Sequence, residues 1–473
     1  MKQSSTAFVS LFALVFAAAS CFAARADEPS ADEKPRVIVT TDGEIDDRCS
    51  MIRYLMYANE WETLGLILSS SKYHWKGDET TEAHKWEGES WLPQQLDLYA
   101  KVYPDLAKNC RGFPSADELR RHVFVGNIAT EGDMREETPG SNRIVEVLLD
   151  GNLEPVWLQA WGGANTIARA LKTIEERHPE RKAEVARKAK LFLITYQDQT
   201  YQTYISRNWP EVETLISTAF GAIAYRWNEI MPPDLQQYFD AGWMKENILK
   251  NHGPLCAAYE ARQDGSFRSE GDSPAFMHLI NVGLGSDEHP SYGGWGGRFQ
   301  YEDGYWKSAA DTLADGKGDP KKAILRWAAA FQNDWAARAD WCVKSPDQCN
   351  HPPVAVCNSD RTQKVLKLAA RPGARVELSA AGSSDPDGDQ LTYHWSIYRE
   401  AGTYGAAPPI EHADQPQAVV VVPQDAQGKV IHVILEVTDS GSPPLTRYRR
   451  VILDVTEGAT QPRSTGKSRG ERD

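Results

Sequence analysis

The stretch that most constrains this chain is Val37-Ile38-Val39-Thr40-Thr41-Asp42-Gly43-Glu44-Ile45-Asp46-Asp47. A β-prone run enters a loop carrying four carboxylates within six positions, Asp42, Glu44, Asp46 and Asp47. An apolar pattern at helical spacing follows, with Met51, Ile52, Leu55 and Met56 on one face. The segment is predicted to run strand, loop, helix, with the acids at the carboxyl end of the strand. In open α/β sheets ligands bind at that end. Carboxylates held this close repel one another, and a cation with oxygen ligands relieves the repulsion; Ca²⁺ or Mg²⁺ fits better than zinc or copper. A simpler alternative is an acidic helix start, with Asp46 or Asp47 capping the amide groups.

Later segments repeat the design. Leu64 to Leu68 is a second buried strand, ending in Ser69-Ser70-Ser71-Lys72-Tyr73-His74-Trp75. Pro155 to Ala160 is another, entering a helix through Trp161-Gly162-Gly163-Ala164-Asn165, and Leu191 to Thr195 ends in Gln197-Asp198-Gln199. The glycines allow a close backbone approach to an ion or simply a tight turn. Residues 76–112 read as loop-rich, with Trp86 and Trp91 as a lid or aromatic wall. Ser115 to Glu118 is a capping box that starts a helix. Residues 173–190 read as one charged amphipathic helix, residues 201–268 carry no clear motif, and residues 321–341 read as an Ala- and Trp-rich helix. His351-Pro352-Pro353 is an extended linker.

From Val354 to Thr456 the pattern changes to short alternating strands with Gly-, Pro- and Asp-rich turns, which predicts an immunoglobulin-like β-sandwich of about 100 residues. The expected fold class is therefore α/β, a mostly parallel sheet with helices on both faces over residues 35–345, followed by an all-β sandwich over 354–456. Asp385-Pro386-Asp387-Gly388-Asp389 ahead of Leu391-Thr392-Tyr393 resembles the turn of PKD- and cadherin-like modules. Its acids offer either a second Ca²⁺ site or only an Asp-rich turn.

Residues 1–26 have the form of an export signal: Lys2, an apolar run from Ala7 to Ala19, and Ala24-Arg25-Ala26 as a cleavage site. A lipoprotein modified at Cys21 is the alternative, disfavoured by Ala18 three positions earlier. The expected location is secreted or periplasmic, and no later run is long enough for a membrane span. The formal charge of −14 argues against nucleic acid or an anionic membrane as partner. Residues 1–26 hold two basic side chains and no acid, so cleavage would make the chain more acidic still. Fifteen Trp and eighteen Tyr provide rings for sugar stacking, although most aromatics are core. Cys342 and Cys349 could close a loop at the domain junction, Cys49 reads as a buried thiol, and residues 457–473 read as a disordered tail.

The acidic stretch also resembles the opening motif of inosine-uridine nucleoside hydrolases, Asp-Thr-Asp-Pro-Gly-x-Asp-Asp. Thr40 stands at the first Asp and Gly43-Glu44 at Pro-Gly, while Asp42, Asp46 and Asp47 are kept. The segments Val39 to Asp47, Ser71 to Trp75, and Glu288-His289-Pro290 through Tyr292, Trp295 and Phe299 resemble a secreted branch, the nucleoside hydrolase-like domain of cellulose-binding proteins. The resemblance implies a Ca²⁺ held by Asp42, Asp47, Asp272 and the Trp161 carbonyl, with Asp42 as general base. It implies sugar contacts from Asp46, Ser71, His74, Asp198 and Glu288. The family's His-Asp pair falls on Gly271-Asp272, so the imidazole that protonates a leaving purine is missing, and His289 is the candidate to supply an acid. The expected function is an exported metal-dependent hydrolase of N-glycosyl (nucleoside-like) or related glycosyl bonds. The alternative is a non-catalytic protein that binds cellulose or another polysaccharide. Partners on either reading are a small glycoside or a polysaccharide, with a homo-oligomer left open.

Overall fold

The computed structural model describes residues 34–457. The expectations for the export signal, Cys21 and the tail from 458 onward lie outside the described residues.

The main sheet has eight strands. Six are parallel: β1 (Arg36–Thr41), β2 (Glu62–Leu68), β3 (Val123–Val125), β4 (Val156–Ala160), β5 (Ala189–Ile194) and β6 (Glu213–Ser217). A hairpin of β7 (Phe299–Glu302) and β8 (Tyr305–Ser308) extends the far edge, β8 parallel to β6 and β7 antiparallel to β8. The order is β3-β2-β1-β4-β5-β6-β8-β7. Every residue of β1 and β4 is buried, as expected for central strands covered on both faces. The chain runs outward from β1 in one direction to β3, then returns to β1's other flank at β4. The order reverses there, and a crevice opens beyond the carboxyl ends of β1 and β4.

Several local expectations are corrected. Residues 76–112 are not mainly loop: α2 (Trp91–Asn109) fills their second half, with Leu92, Leu96, Tyr99, Val102 and Leu106 at helical spacing in the core. The helix expected over 173–190 breaks at His178-Pro179, because proline cannot continue the hydrogen-bond ladder. The motif-free region contains β6, whose short run Thr214-Leu215-Ile216 is too brief to stand out by periodicity. Residues 321–341 form two helices, Lys322–Leu325 and Ala328–Trp341. The Ser115 capping box is present, with the helix Ala116–Arg120 behind it.

The C-terminal sandwich pairs a four-stranded sheet with a three-stranded one. The first orders Leu366–Ala370, Thr446–Val455, Val430–Asp439 and Leu391–Ile397, and its outermost pair is parallel. The second orders Arg375–Ser379, Gln417–Val421 and Ile410–Glu411. Trp395, Val420, Val433, Leu435 and Leu453 fill the space between them. Cys342 and Cys349 are free thiols, so no bridge joins them; Cys342 faces Cys256 instead, and Cys49 is a buried free thiol. No described helix is long and apolar enough to cross a membrane.

Candidate functional site

The site is assembled from α1 (Ile45–Met56) outward. Gly43 turns the chain out of β1 with φ +78°, and a Cβ there would meet the Trp91 indole. Asp46 and Asp47 occupy the first turn of α1, but neither caps it. Glu44 is the N-cap residue and makes no side-chain cap bond. Asp47 Oδ1 instead accepts from the Thr41 hydroxyl and from the Asp42 amide, at 3.3 Å for the latter. The capping explanation of these acids is therefore excluded by geometry.

Ser50 and Arg53 lie one and two turns further along α1 and hold the segment of the distant acid Asp272 in place. Arg53 Nε donates to Glu270 at 2.5 Å, and the Ser273 hydroxyl donates to Glu270 at 2.9 Å while lying 3.2 Å from the Ser50 hydroxyl. Asp272 lies between these two anchors. Carboxylate oxygens of Asp46, Asp47 and Asp272 come within 4.8 Å of one another, and a second group of the same span joins Asp42, Glu44 and His74. The turn after β4 closes the crevice: a Cβ on Gly162 would stand 3.0 Å from the Asp42 side chain.

The electrostatics follow from burial. Asp42 and Asp272 are each 1% exposed, and Asp42 Oδ2 and Asp272 Oδ2 accept no hydrogen bond from the protein. No Lys or Arg among the described residues pairs with Asp42, Asp46, Asp47 or Asp272; the ionic neighbour of Asp42 is His74, with Nδ1 3.6 Å from Oδ2. Burial first, then the neighbouring carboxylates, pushes Asp47 and Asp272 well above the usual carboxylate range. Burial and Glu44 raise Asp46 to about 7. For His74, burial acts to lower the pKa, but Asp42 and then Glu44 outweigh it and hold it above 6.5. Buried oxygens with no donor, in a cluster with uncompensated charge, are the environment a hard divalent cation fits.

The remaining predicted residues divide in two. His74 borders the site, and the Trp161 carbonyl, one residue before Gly162, accepts from Gln197 Nε2. Ser71 and Asp198 lie nearby but are occupied. The Ser71 hydroxyl accepts from the amides of Tyr73 and His74 at 2.9 and 3.3 Å. Asp198 accepts from Thr200 N at 2.8 Å, Thr200 Oγ1 at 2.6 Å and Asn165 N at 3.1 Å, bracing the β4 and β5 turns. Glu288 and His289 do not join the cluster. Glu288 accepts from Val365 N at 2.8 Å, and His289 packs on Tyr292 and Trp306 and bonds Ser291. The segment Glu288 to Phe299 is instead the seat of the sandwich: Arg450 donates to the Gly293 carbonyl at 2.9 Å and Tyr292 meets His432 edge-on.

Tyr225 was not legible in the sequence. Its hydroxyl donates to Glu44 at 2.8 Å or Asp46 at 3.0 Å, and with Glu44, Tyr73, His74, Lys85 and Trp86 it borders an open cleft of about 490 Å³. No signal in its neighbours, Ala224 and Arg226, distinguishes it from an ordinary surface tyrosine. Gly271 has a local reason as well: a Cβ there would lie 2.7 Å from Asp46 Oδ2, so the approach of Asp46 excludes a side chain.

Comparison with known proteins identifies the family. The family described as cellulose-binding Sde182, nucleoside hydrolase-like domain, matches residues 36–299, and the cellulose-binding protein Sde0182 C-terminal domain matches residues 375–455. A solved nucleoside hydrolase-related protein from Saccharophagus degradans, described as associated with carbohydrate metabolism, is 31% identical with a TM-score of 0.74, covering 89% of this chain and 100% of its own. A plant nucleoside hydrolase is 12% identical with a TM-score of 0.31, covering 65% of this chain and 99% of its own. No curated protein matches. With the family matched across the strands and acids that build the site, the chain belongs to the Sde182 nucleoside hydrolase-like family of cellulose-binding proteins.

Proposed function

We propose that the chain is an exported, metal-dependent hydrolase of N-glycosyl (nucleoside-like) or related glycosyl bonds. The observation that supports this most is the convergence of Asp42, Asp46, Asp47 and Asp272 at the switch point, with Asp42 Oδ2 and Asp272 Oδ2 buried and unsatisfied. Asp42, Asp47, Asp272 and the Trp161 carbonyl would hold the cation, Ca²⁺ by their all-oxygen chemistry. When bound, such an ion lowers the pKa of a coordinated water and orients a sugar diol. The protein's own groups do the rest. Asp42 accepts the proton as general base through Oδ2, the oxygen that no protein donor satisfies. Asp46 holds a sugar hydroxyl once Tyr225 turns to Glu44. The buried carboxylates stabilise positive charge developing at the anomeric carbon. With His289 at the sandwich seat, His74 and Tyr225 border the cleft as proton donors, with Lys85 beside them.

The test is sugar release from nucleosides and nitrophenyl glycosides, with and without a chelator. The expected result is release that needs Ca²⁺ and is lost in Asp42→Ala while the circular dichroism spectrum is unchanged. A second reading, a polysaccharide-binding protein without catalysis, is favoured by Gly271, which leaves no imidazole beside Asp272. Retention on insoluble cellulose with no sugar released from any glycoside would establish it in place of the first.

A further inference from the structure

A second group of ligand atoms lies beside the cluster of Asp46, Asp47 and Asp272. One atom each from Asp42, Glu44 and His74 falls within 4.8 Å of the other two. Asp42 is 1% exposed and His74 is 6% exposed. Asp42 Oδ2 and His74 Nδ1 are buried and have no hydrogen-bond partner. They face each other at 3.6 Å, too far for a hydrogen bond. Glu44 Oε2 stands 3.9 Å from the same nitrogen.

Each of the three side chains is fixed through its other atoms and leaves one for this common point. Asp42 Oδ1 accepts from Glu44 N at 3.5 Å, and Glu44 Oε1 accepts from the Tyr225 hydroxyl at 2.8 Å. The backbone that carries the imidazole is closed into a turn: Ser71 N donates to the His74 carbonyl at 3.0 Å, and the Ser71 hydroxyl accepts from His74 N at 3.3 Å. No Lys or Arg among the described residues forms an ion pair with Asp42 or Glu44, although Lys85 borders the same cleft. Glu44 also stands where the nucleoside hydrolase motif has Gly, so its carboxylate lies outside the ligand set that the resemblance implies. A buried nitrogen and a buried carboxylate oxygen that face each other without a bond leave both desolvated and unpaired, which costs free energy until something joins them.

We propose that Asp42, Glu44 and His74 form a second cation site, for a borderline divalent metal of the Zn²⁺ type, next to the oxygen-only cluster. The imidazole decides the metal: nitrogen with two carboxylates suits zinc, whereas Ca²⁺ and Mg²⁺ take oxygen alone. Three protein donors with one open position is a common zinc arrangement, and the cleft of about 490 Å³ supplies the open side. Two donors on one tetrahedral zinc, with bonds of about 2 Å, lie about 3.3 Å apart. The spacings of 3.6 and 3.9 Å are within a small side-chain adjustment of that. The site stands on its own geometry, and only its consequence rests on the hydrolase reading. An ion on Asp42 Oδ2 takes the oxygen assigned as general base, so this metal inhibits hydrolysis rather than serving it.

The test is calorimetric titration of the full chain, without a histidine tag and saturated with CaCl₂, by ZnCl₂. One equivalent of Zn²⁺ is expected to bind, and His74→Ala is expected to weaken it about tenfold or more while the first cluster still binds Ca²⁺. Attraction to negative charge alone would survive the loss of the ring. Should His74→Ala lose its circular dichroism signature, Glu44→Gln reads the same site from the cleft side with the same expected loss. No Zn²⁺ bound by the parent, or undiminished binding in the folded variant, would overturn the proposal. Zn²⁺ bound and lost as expected, but with Ca²⁺-dependent sugar release undiminished while it is bound, would keep the site and remove Asp42 from the role of general base.

Discussion

Asp272 carries the largest conflict at the level of single residues. Its carboxylate is buried beside Asp47, Asp46 and Asp42 and its pKa is raised well above the model-peptide range. A raised carboxylate pKa means the ionised form is disfavoured in the fold, so the folded chain loses stability as pH rises through the window between unfolded and folded values. Asp272→Asn removes that charge. In chelator above pH 7 it is expected to unfold about 1–3 kcal/mol later than the parent, while Ca²⁺ raises its melting temperature by less than it raises the parent's. Thermal melts of both proteins with and without Ca²⁺ check this. His278 shows the opposite case. It is fully buried among Trp157, Phe192 and Phe299, neither ring nitrogen has a partner, and burial lowers its pKa to about 3. Between pH 6.5 and about 3 the unfolded chain binds a proton that the folded one does not, so stability falls with acid across that window. His278→Phe should flatten the acid side of the stability curve, by at most about 5 kcal/mol, as read by urea melts at pH 7 and pH 4.

At the scale of elements, the decisive piece is the clamp between α1 and the 270–273 turn. Arg53 and Glu270 are almost wholly buried, and Arg53 also bonds Gln332 at 2.7 Å and stacks on Trp335. Breaking such a pair strands a buried charge. Arg53→Met is expected to cost about 3–5 kcal/mol and to weaken Ca²⁺ binding by loosening Asp272, measured by denaturant melts and calorimetry together. The first strand-loop-helix unit was legible because its signals are local: a β-prone run, an acidic turn and an apolar helical face. β6 and Tyr225 were not, because a five-residue strand and a lone surface tyrosine acquire meaning only from their neighbours in space. Glu288 and His289 were misjudged for the same reason. Their motif is distinctive in sequence, but its glycines serve packing: a Cβ on Gly296 would meet Pro274 O at 2.4 Å, directly behind Asp272.

For the molecule as a whole, the two parts are joined through a shared apolar cluster, although the sandwich keeps a core of its own. Tyr398, Ile434 and Tyr448 of the sandwich belong to the same apolar cluster as α1, α2 and helix Ala328–Trp341. Arg447 reaches across to Asp334 at 2.9 Å, beside Arg338 and Tyr57, and Tyr398 bonds Asp311 at 2.8 Å. The chain is expected to unfold in one calorimetric transition. Arg447→Ala should lower the stability of both parts together, by about 3 kcal/mol; two separate transitions in the parent would contradict this.

By itself the sequence determined the α/β plan, the sandwich after the linker, and the four acids beside the first strand, because strand and helix periods and turn chemistry act over a few residues. Only the tertiary structure decided which distant groups complete the site. The family resemblance pointed to Asp272, but its placement, Tyr225 and the Gly271 approach depend on contacts across some two hundred residues of chain, and side-chain convergence over that separation is a property of packing that no local pattern encodes.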